Sequence, residues 1–312
     1  MLLQTLRTRD PDELAAGFRR WDHRFRQFGG GSFRGELKLL QLGGVQVLRT
    51  SGNRRLQDQG SPPPGSFGFA PVLPRNAGAI WRGRRCQTGQ VITIDPGQEG
   101  DHLSAADYWM VGLTVDGDFF RECAAVLGGF DPDERLAGRL AVTSSPAGCR
   151  ALTAHLGELL DLVEARPDLF AQPRTRRAVE EECLRRVVEL IAQSTGGDQT
   201  ECWSSHRDRL VRRAEDYMRA HLGDPLSVLD LCRELAVSER TLHYAFQEVR
   251  GLSPMAYFQA VRLNAVRREV RAAADTVTVH DIAQRWGFWH TGEFAAAYRR
   301  LFGELPSQTL SG

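Results

Sequence analysis

One pattern occurs twice in the final third of this chain, at an offset of 51 to 52 residues. Ser227-Val-Leu-Asp230-Leu231 returns as Thr278-Val-His-Asp281-Ile282, and Leu242, Phe246, Gly251 and Pro254 return as Phe294, Tyr298, Gly303 and Pro306. Each copy reads as a short capped helix, a tight turn and a second helix. A lone capped pair is usually ordinary packing. Two copies in register confine this segment to a tandem helix-turn-helix, an arrangement suited to double-stranded DNA.

In the first copy Ser227 is an N-cap, and Asp230 sets a carboxylate against the unpaired N–H groups of the first turn. Leu231 and Leu235 give the helix an apolar face, and Ser238 caps the next helix, which turns Leu242 and Phe246 inward. Its outward residues are Arg240, Thr241, His243, Tyr244 and Gln247, in the turns that reach base edges. In the second copy Ile282, Ala283 and Trp286 bury the first helix, and Gly287-Phe288 makes the turn. Phe294, Tyr298 and Phe302 hold the second helix, leaving His290, Thr291, Arg299 and Arg300 outward as phosphate contacts. His290 is equally suited to cap its helix. Between the copies, Ser253-Pro254 starts a long helix to about Ala274 that fixes the separation of the two reading heads. Its Arg262, Arg267, Arg268 and Arg271 predict a basic surface.

The net charge of +1 hides an asymmetry: residues 204–312 hold 15 Arg against 13 Asp and Glu, and residues 1–203 hold 25 basic against 26 acidic residues. Such a mildly basic reader gains modest non-specific attraction, so a dimer or a second contact is expected. No stretch approaches a membrane span, and the start is not a signal peptide, which points to the cytoplasm. The six cysteines are scattered without C-x-x-C spacing, as suits a reducing compartment; buried inert thiols are the simpler reading than a reactive sensor.

Residues 35–115 favour short strands, at Glu36–Leu42, Val45–Thr50, Phe67–Val72, Val91–Asp95 and Tyr108–Val115, separated by Gly and Pro clusters. A small sandwich or barrel follows. Metal catalysis in such a barrel needs about three His and a carboxylate, whereas residues 1–150 hold only His23 and His102. Gly29-Gly-Gly-Ser32 lacks the Lys of a phosphate loop and reads as a flexible link. No catalytic constellation is recognisable, so no enzyme, cofactor or metal is expected. A small-molecule pocket remains, with Phe67, Phe69, Trp81, Tyr108 and Trp109 as aromatic candidates and Arg54 as the polar one; Arg49, Arg55, Arg82, Arg84 and Arg85 are further basic residues nearby. From about Ala147 the periodicity is helical: Leu152, Leu156, Leu159, Leu160 and Val163, then Leu184, Val187, Val188 and Ile191, form two stripes that pack on the barrel or on a second subunit. Ser194 to Thr200 reads as a linker.

Gly251-Leu-Ser-Pro254, Tyr257, Arg262-Leu263, Asp281-Ile-Ala283 and Gly287-Phe288 resemble the AraC-type transcription regulators over about residues 205–312. Gly287-Phe-Trp-His290, Phe294, Tyr298-Arg299, Leu301-Phe-Gly303 and Pro306-Ser307 are similar to the branch containing the ethanolamine-utilisation operon regulator. The resemblance implies base reading from Arg240, His243 and Tyr244. Gly292, Ala295 and Ala296 occupy the equivalent places in the second unit and are too small to reach bases. It also implies a cupin-like front barrel, a homodimer and contact with RNA polymerase.

The expected organisation is therefore α+β. A cupin-like sensing domain at 1–145, a helical dimerisation segment at 146–194 and a linker at 195–204 precede an all-α DNA-binding domain at 205–312. The expected function is sequence-specific regulation from a double-stranded operator, as an activator controlled by a small-molecule effector. A protein partner at the front domain is the alternative.

Overall fold

The computed structural model describes residues 2–194, 206–273 and 277–310, so the expected linker lies outside the described residues. The front of the chain runs β1 (Leu2–Thr8), α1 (Pro11–Ala16), β2 (Asp22–Gln27), β3 (Gly35–Leu42), β4 (Val45–Gly52), β5 (Leu56–Ser61) and β6 (Ser66–Pro71). It continues through β7 (Ile80–Trp81), β8 (Arg84–Arg85), β9 (Gln90–Ile94), β10 (Gly100–Leu103) and β11 (Tyr108–Asp116). Then follow α2 (Gly117–Cys123), α3 (Pro132–Leu136), β12 (Ala141–Thr143), α4 (Pro146–Ala165) and α5 (Pro173–Ala192).

The strands form two sheets, in the orders β1-β3-β4-β11-β6-β9-β12 and β2-β5-β10-β7-β8. Neither order returns to its first strand. Of the small sandwich or barrel expected, the described residues form two open, facing sheets, with no closed barrel among them. The seven-stranded sheet is apolar on both faces because both are covered. On one face Phe67, Phe69 and Val115 meet Phe120 of α2, Leu156 and Leu160 of α4, and Leu184 and Val188 of α5. On the other, Leu37, Leu39 and Leu48 meet Phe25 and Leu56 of the five-stranded sheet. The helical stripes expected to serve either packing or a dimer are therefore spent on this chain's own sheet. Lys38, the only lysine, adds a clamp: its Nζ lies 3.1 Å from Asp161 and 2.7 Å from Glu164 of α4.

The rear of the chain comprises α6 (His206–Ala220), α7 (Val228–Leu235), α8 (Glu239–Val249), α9 (Pro254–Ala272), α10 (Val279–Arg285), α11 (Thr291–Phe302) and α12 (Pro306–Leu310). Ser227 and Thr278 each form a reciprocal capping box, with Asp230 and Asp281, as their spacing demands. α9 spans roughly 28 Å at about 1.5 Å per residue and lies between the two helix pairs. The core of this domain includes Phe246, Phe258, Ile282 and Tyr298, and it takes in Phe28, Ile80 and Leu103 from the front of the chain. The hydrophobic core therefore crosses the domain boundary.

Polar contacts reinforce that seam. Gln27 N donates to Asn264 Oδ1 and Asn264 Nδ2 donates to Gln27 O, both at 2.9 Å. Arg267 pairs with Asp10 at 3.0 Å and Arg268 with Asp12 at 2.8 Å, while Arg271 reaches Asp10 at 2.7 Å and Glu13 at 2.9 Å. Arg267, Arg268 and Arg271 of the long helix thus face the acidic start of α1, where a basic surface was expected. Gly29–Ser32 is likewise no free link. Gly31 N donates to Arg300 O and Leu301 O at the end of α11, and Gln27 Nε2 donates to Leu301 O at 2.6 Å. A methyl at Gly30 would lie 2.9 Å from Arg300 O, so the close approach requires glycine.

Candidate nucleic-acid interface

Ser238 starts the first recognition helix: its Oγ accepts from Thr241 N at 3.1 Å and shares a bond with Thr241 Oγ1 at 2.8 Å. Burying Leu242, Ala245, Phe246 and Val249 turns Arg240, Thr241, His243, Tyr244 and Gln247 to the exposed side. The Arg240 guanidinium sits 5.4 Å from the Tyr244 ring, which holds it over the helix surface. Tyr244 remains 54% exposed, a large aromatic area for a soluble helix unless something covers it. Thr241 already spends its hydroxyl on the cap.

α11 is built on the same plan, with Phe294, Ala297, Tyr298, Leu301 and Phe302 buried. Thr291, Gly292, Ala296, Arg299 and Arg300 stay exposed. His290 occupies the N-cap position but its side chain makes no capping bond, leaving the imidazole at the exposed helix start. Beside it Trp289 is 59% exposed. Sequence reading passed over this residue, because an aromatic after Gly287-Phe288 looks like another core anchor. Arg240, Arg299 and Arg300 form no ion pair among the described residues, whereas Arg250, Arg267, Arg268 and Arg271 are all paired with carboxylates. Arginines on the two recognition helices therefore keep their donors for an external anion. Those behind the helices are consumed internally. Arg262 belongs to the second group: it donates to Trp286 O, lies 4.5 Å from the Phe288 ring, and burial pushes it down to about 10.

Behind α8 the central residue is Arg250, 1% exposed. Its Nε donates to Glu215 at 2.5 Å and its Nη2 to Asp101 of β10 at 2.6 Å. Gln57 Nε2 donates to the other Asp101 oxygen at 2.9 Å, and Tyr257 OH donates to Gln57 at 3.3 Å. Burial opposes charge in this group, but Glu215 and Asp101 hold Arg250 well above its usual pKa, and Arg250 in turn holds Asp101 below the ordinary carboxylate range.

The ligand candidates of the front domain are dispersed. Trp81 lines a cavity of about 60 Å³ between the two sheets, together with His23, Asp58 and His102. Phe69 borders that cavity, but its ring packs on the helix face 4.9 Å from Phe120, and Phe67 does the same at 5.1 Å. Tyr108 and Trp109 lie at a separate, open depression near Arg75, and Arg54 lies in the seam near Gly303. Sequence reading missed His23 and Asp58, whose rings and carboxylate meet across β2 and β5 at 2.5 Å. Burial pushes the thiols of Cys86 and Cys183 up to about 12, which makes them inert packing groups. Among the described residues no group of His, Cys, Asp and Glu is arranged to hold a metal, and no helix is long and apolar enough to cross a membrane.

Two helix pairs with exposed second helices on one scaffold define a tandem helix-turn-helix. Residues 231–312 match the family model described as a helix-turn-helix domain. The chain is 41% identical over 102 residues to the "Probable thc operon regulatory protein" of Rhodococcus erythropolis, a match covering 32% of this chain and 31% of that one. It is 28% identical over 142 residues to XylDLEGF operon transcriptional activator 3 of Pseudomonas putida, covering 45% of this chain and 41% of that one. A solved AraC family regulator from Rhodopseudomonas palustris shares 38% identity, covering 33% of this chain and 95% of that chain, with a TM-score of 0.31. Over this carboxy-terminal part the chain is therefore similar to transcription regulators. These relatives are regulators, not enzymes. The chain spans about a third to two fifths of the length of the two curated relatives named here.

Proposed function

We propose that this chain is a sequence-specific DNA-binding transcription regulator, an activator whose front domain answers to a small-molecule effector. The observation that carries the reading is the division of arginines. Arg240, Arg299 and Arg300 on α8 and α11 are exposed and form no ion pair among the described residues, while Arg250, Arg267, Arg268 and Arg271 behind them are paired with carboxylates. In this reading Arg240 and His243 read base edges, since Arg pairs bidentately with guanine and His donates to its acceptors. Tyr244 and Gln247 flank them. His290, Thr291, Arg299 and Arg300 hold phosphate, Trp289 packs on the sugar edge, and Thr241 keeps its cap with Ser238. The small residues Gly292, Ala295 and Ala296 leave the second unit to position the first.

The mostly apolar cavity between the sheets, with His23, Asp58, Trp81 and His102 on its lining, supports an effector over a protein partner. A cytoplasmic homodimer touching RNA polymerase completes the reading, because the mildly basic reader alone has little non-specific affinity. Assignment to the ethanolamine-utilisation branch rests on the 287–307 residue pattern and on Arg262-Leu-Asn-Ala-Val-Arg267. The test is duplex selection from a random pool, followed by Arg240→Ala. That variant should lose about 1–3 kcal/mol of specific affinity and relax one base position. Equal losses of specific and non-specific affinity would reassign Arg240 to phosphate. Failure to select any duplex at low salt would end the reading.

A further inference from the structure

Four strands of the seven-stranded sheet terminate along one edge, and their terminal residues make a basic rim. The strand register sets its first row: Arg7 of β1 pairs with Glu36 of β3, Glu36 with Ser51 of β4, and Ser51 with Trp109 of β11. Residues paired across strands share a face, and at about 4.8 Å per strand these four positions span roughly 14 Å. Arg75, from the 3-10 turn Pro74–Asn76, sits 5.7 Å from the Trp109 ring. These residues border an open depression of about 620 Å³.

Beyond the strand ends, Arg9, Arg34 and Asn53 line this depression and also a second one of about 560 Å³, so the two adjoin. Asn53 sets the junction: its Oδ1 accepts from Arg34 N at 2.7 Å and its Nδ2 donates to Ser32 O at 3.2 Å. The second depression holds Arg54, whose Nη1 donates to Asn53 O at 3.0 Å and whose buried Nε has no partner among the described residues. Its far side is formed by Phe302, Gly303 and Gln308. The groove therefore opens at the end of α11, within a few residues of the exposed Arg299 and Arg300.

Charge is concentrated here. Residues 1–203 carry 25 basic against 26 acidic residues, yet the groove draws from them five arginines against only Glu36 and Asp107. Arg9, Arg34, Arg54 and Arg75 form no ion pair among the described residues. Arg7 meets Glu36 at 3.6 Å with both side chains in solvent, a pair that water and salt screen. A small anion is gripped by donors that converge on one point. Arginines held apart along an open groove suit a polyanion, whose charges recur along its length. The helical rear of the chain is short of such contacts, since Arg250, Arg267, Arg268 and Arg271 are all paired internally.

We propose that Arg7, Arg9, Arg34, Arg54 and Arg75 form a second duplex contact, which holds the phosphate backbone of DNA continuing past the end of α11. This rests on the reading of α8 and α11 as the DNA-reading helices. Phosphate contacts carry no sequence information, so the groove adds affinity and salt dependence, not base preference.

The test uses the full chain, the duplex selected from the random pool, and the same duplex lengthened at one end or the other. Each extension is about 12 base pairs of arbitrary sequence, roughly 40 Å at about 3.4 Å each. One of the two extensions should raise wild-type affinity about tenfold at low salt. It should also steepen the fall of log affinity with log salt by about 3 to 4, as expected for about four more phosphates neutralised. Arg9→Gln/Arg34→Gln should bind the short duplex as the wild type does and lose most of both gains. Both side chains are exposed, so its thermal unfolding should match the wild type. Arg150→Gln/Arg174→Gln removes the same charge from exposed positions at the starts of α4 and α5 and should keep both gains. Extensions without effect, an Arg9/Arg34 variant that keeps the gain, or an Arg150/Arg174 variant that loses as much overturns the groove and leaves the DNA reading standing. Pyrophosphate that raises the unfolding temperature of the wild type and not of the Arg9/Arg34 variant, with no gain from longer duplexes, overturns it in favour of a small-anion site. A chain that binds neither the short nor the long duplex overturns the reading of α8 and α11, and the groove with it.

Discussion

Replacing Arg250 by Met would remove a guanidinium that satisfies two buried carboxylates at once. Glu215 and Asp101 are 2% and 8% exposed at their side chains, and Arg250 approaches them at 2.5 and 2.6 Å. Without Arg250 both would be left as uncompensated buried charges or be forced to take up protons. Removing one partner of a buried ion pair costs about 3–5 kcal/mol, and the better packing of a Met stem does not offset two stranded anions. Asp101→Asn is gentler, because Arg250 keeps Glu215 and Gln57 keeps a partner; one charge-assisted bond is lost, worth about 1.5–3 kcal/mol. Urea unfolding of the two single variants and the double variant measures the coupling. The double variant should lose less than the sum of the singles, since Arg250→Met strands one fewer anion once Asp101 is neutral. The pH arm has a defined sign. Arg250 holds Asp101 below its usual pKa in the folded chain. Its stabilisation is present above the ordinary carboxylate pKa of about 4 and is lost as pH falls through the lowered folded value. Asp101→Asn should flatten that part of the stability profile. An Arg250→Met loss below about 1 kcal/mol would refute this account of the seam.

Ser227→Ala removes one half of a capping box and should cost about 1 kcal/mol in urea unfolding; no loss would mean that Asp230 alone satisfies the helix start. Ala236 ends α7 at φ 53°, a left-handed conformation that costs a non-glycine residue about 1–2 kcal/mol, so Ala236→Gly should leave stability unchanged or raise it, and a clear loss would contradict the strained turn. Gly30→Val would push a side chain into Arg300 O and should weaken docking of α11, read as faster hydrogen exchange at residues 296–302 and at β2; unchanged exchange would dismiss the glycine seam.

Sequence periodicity located the elements whose neighbours are lipid-like and local. The five strands read in advance, near β3, β4, β6, β9 and β11, all belong to the seven-stranded sheet, where both faces are apolar. None of β2, β5, β7, β8 or β10 was legible. Segments such as Leu56-Gln-Asp-Gln-Gly-Ser61 carry polar residues toward a charged interface on one side and toward a polar cavity wall on the other, so no hydrophobic alternation survives. The site divides in the same way. Outward positions on α8 and α11 follow from which residues each helix must bury, and both were readable. The fate of the α9 arginines was not, since Asp10 lies 257 residues from Arg267 and nothing local distinguishes a docked arginine from a solvated one.

The chain's own residues, read in order, determine two capped helix pairs and the face each turns outward, because caps, turns and a 3.6-residue period act over a few positions. Tertiary structure alone decided that a polar sheet is shared between a cavity and Arg250, and that the basic helix is neutralised from the front of the chain. Those outcomes depend on ion pairs and close backbone approaches between segments far apart in sequence, whose partners only the assembled fold brings together.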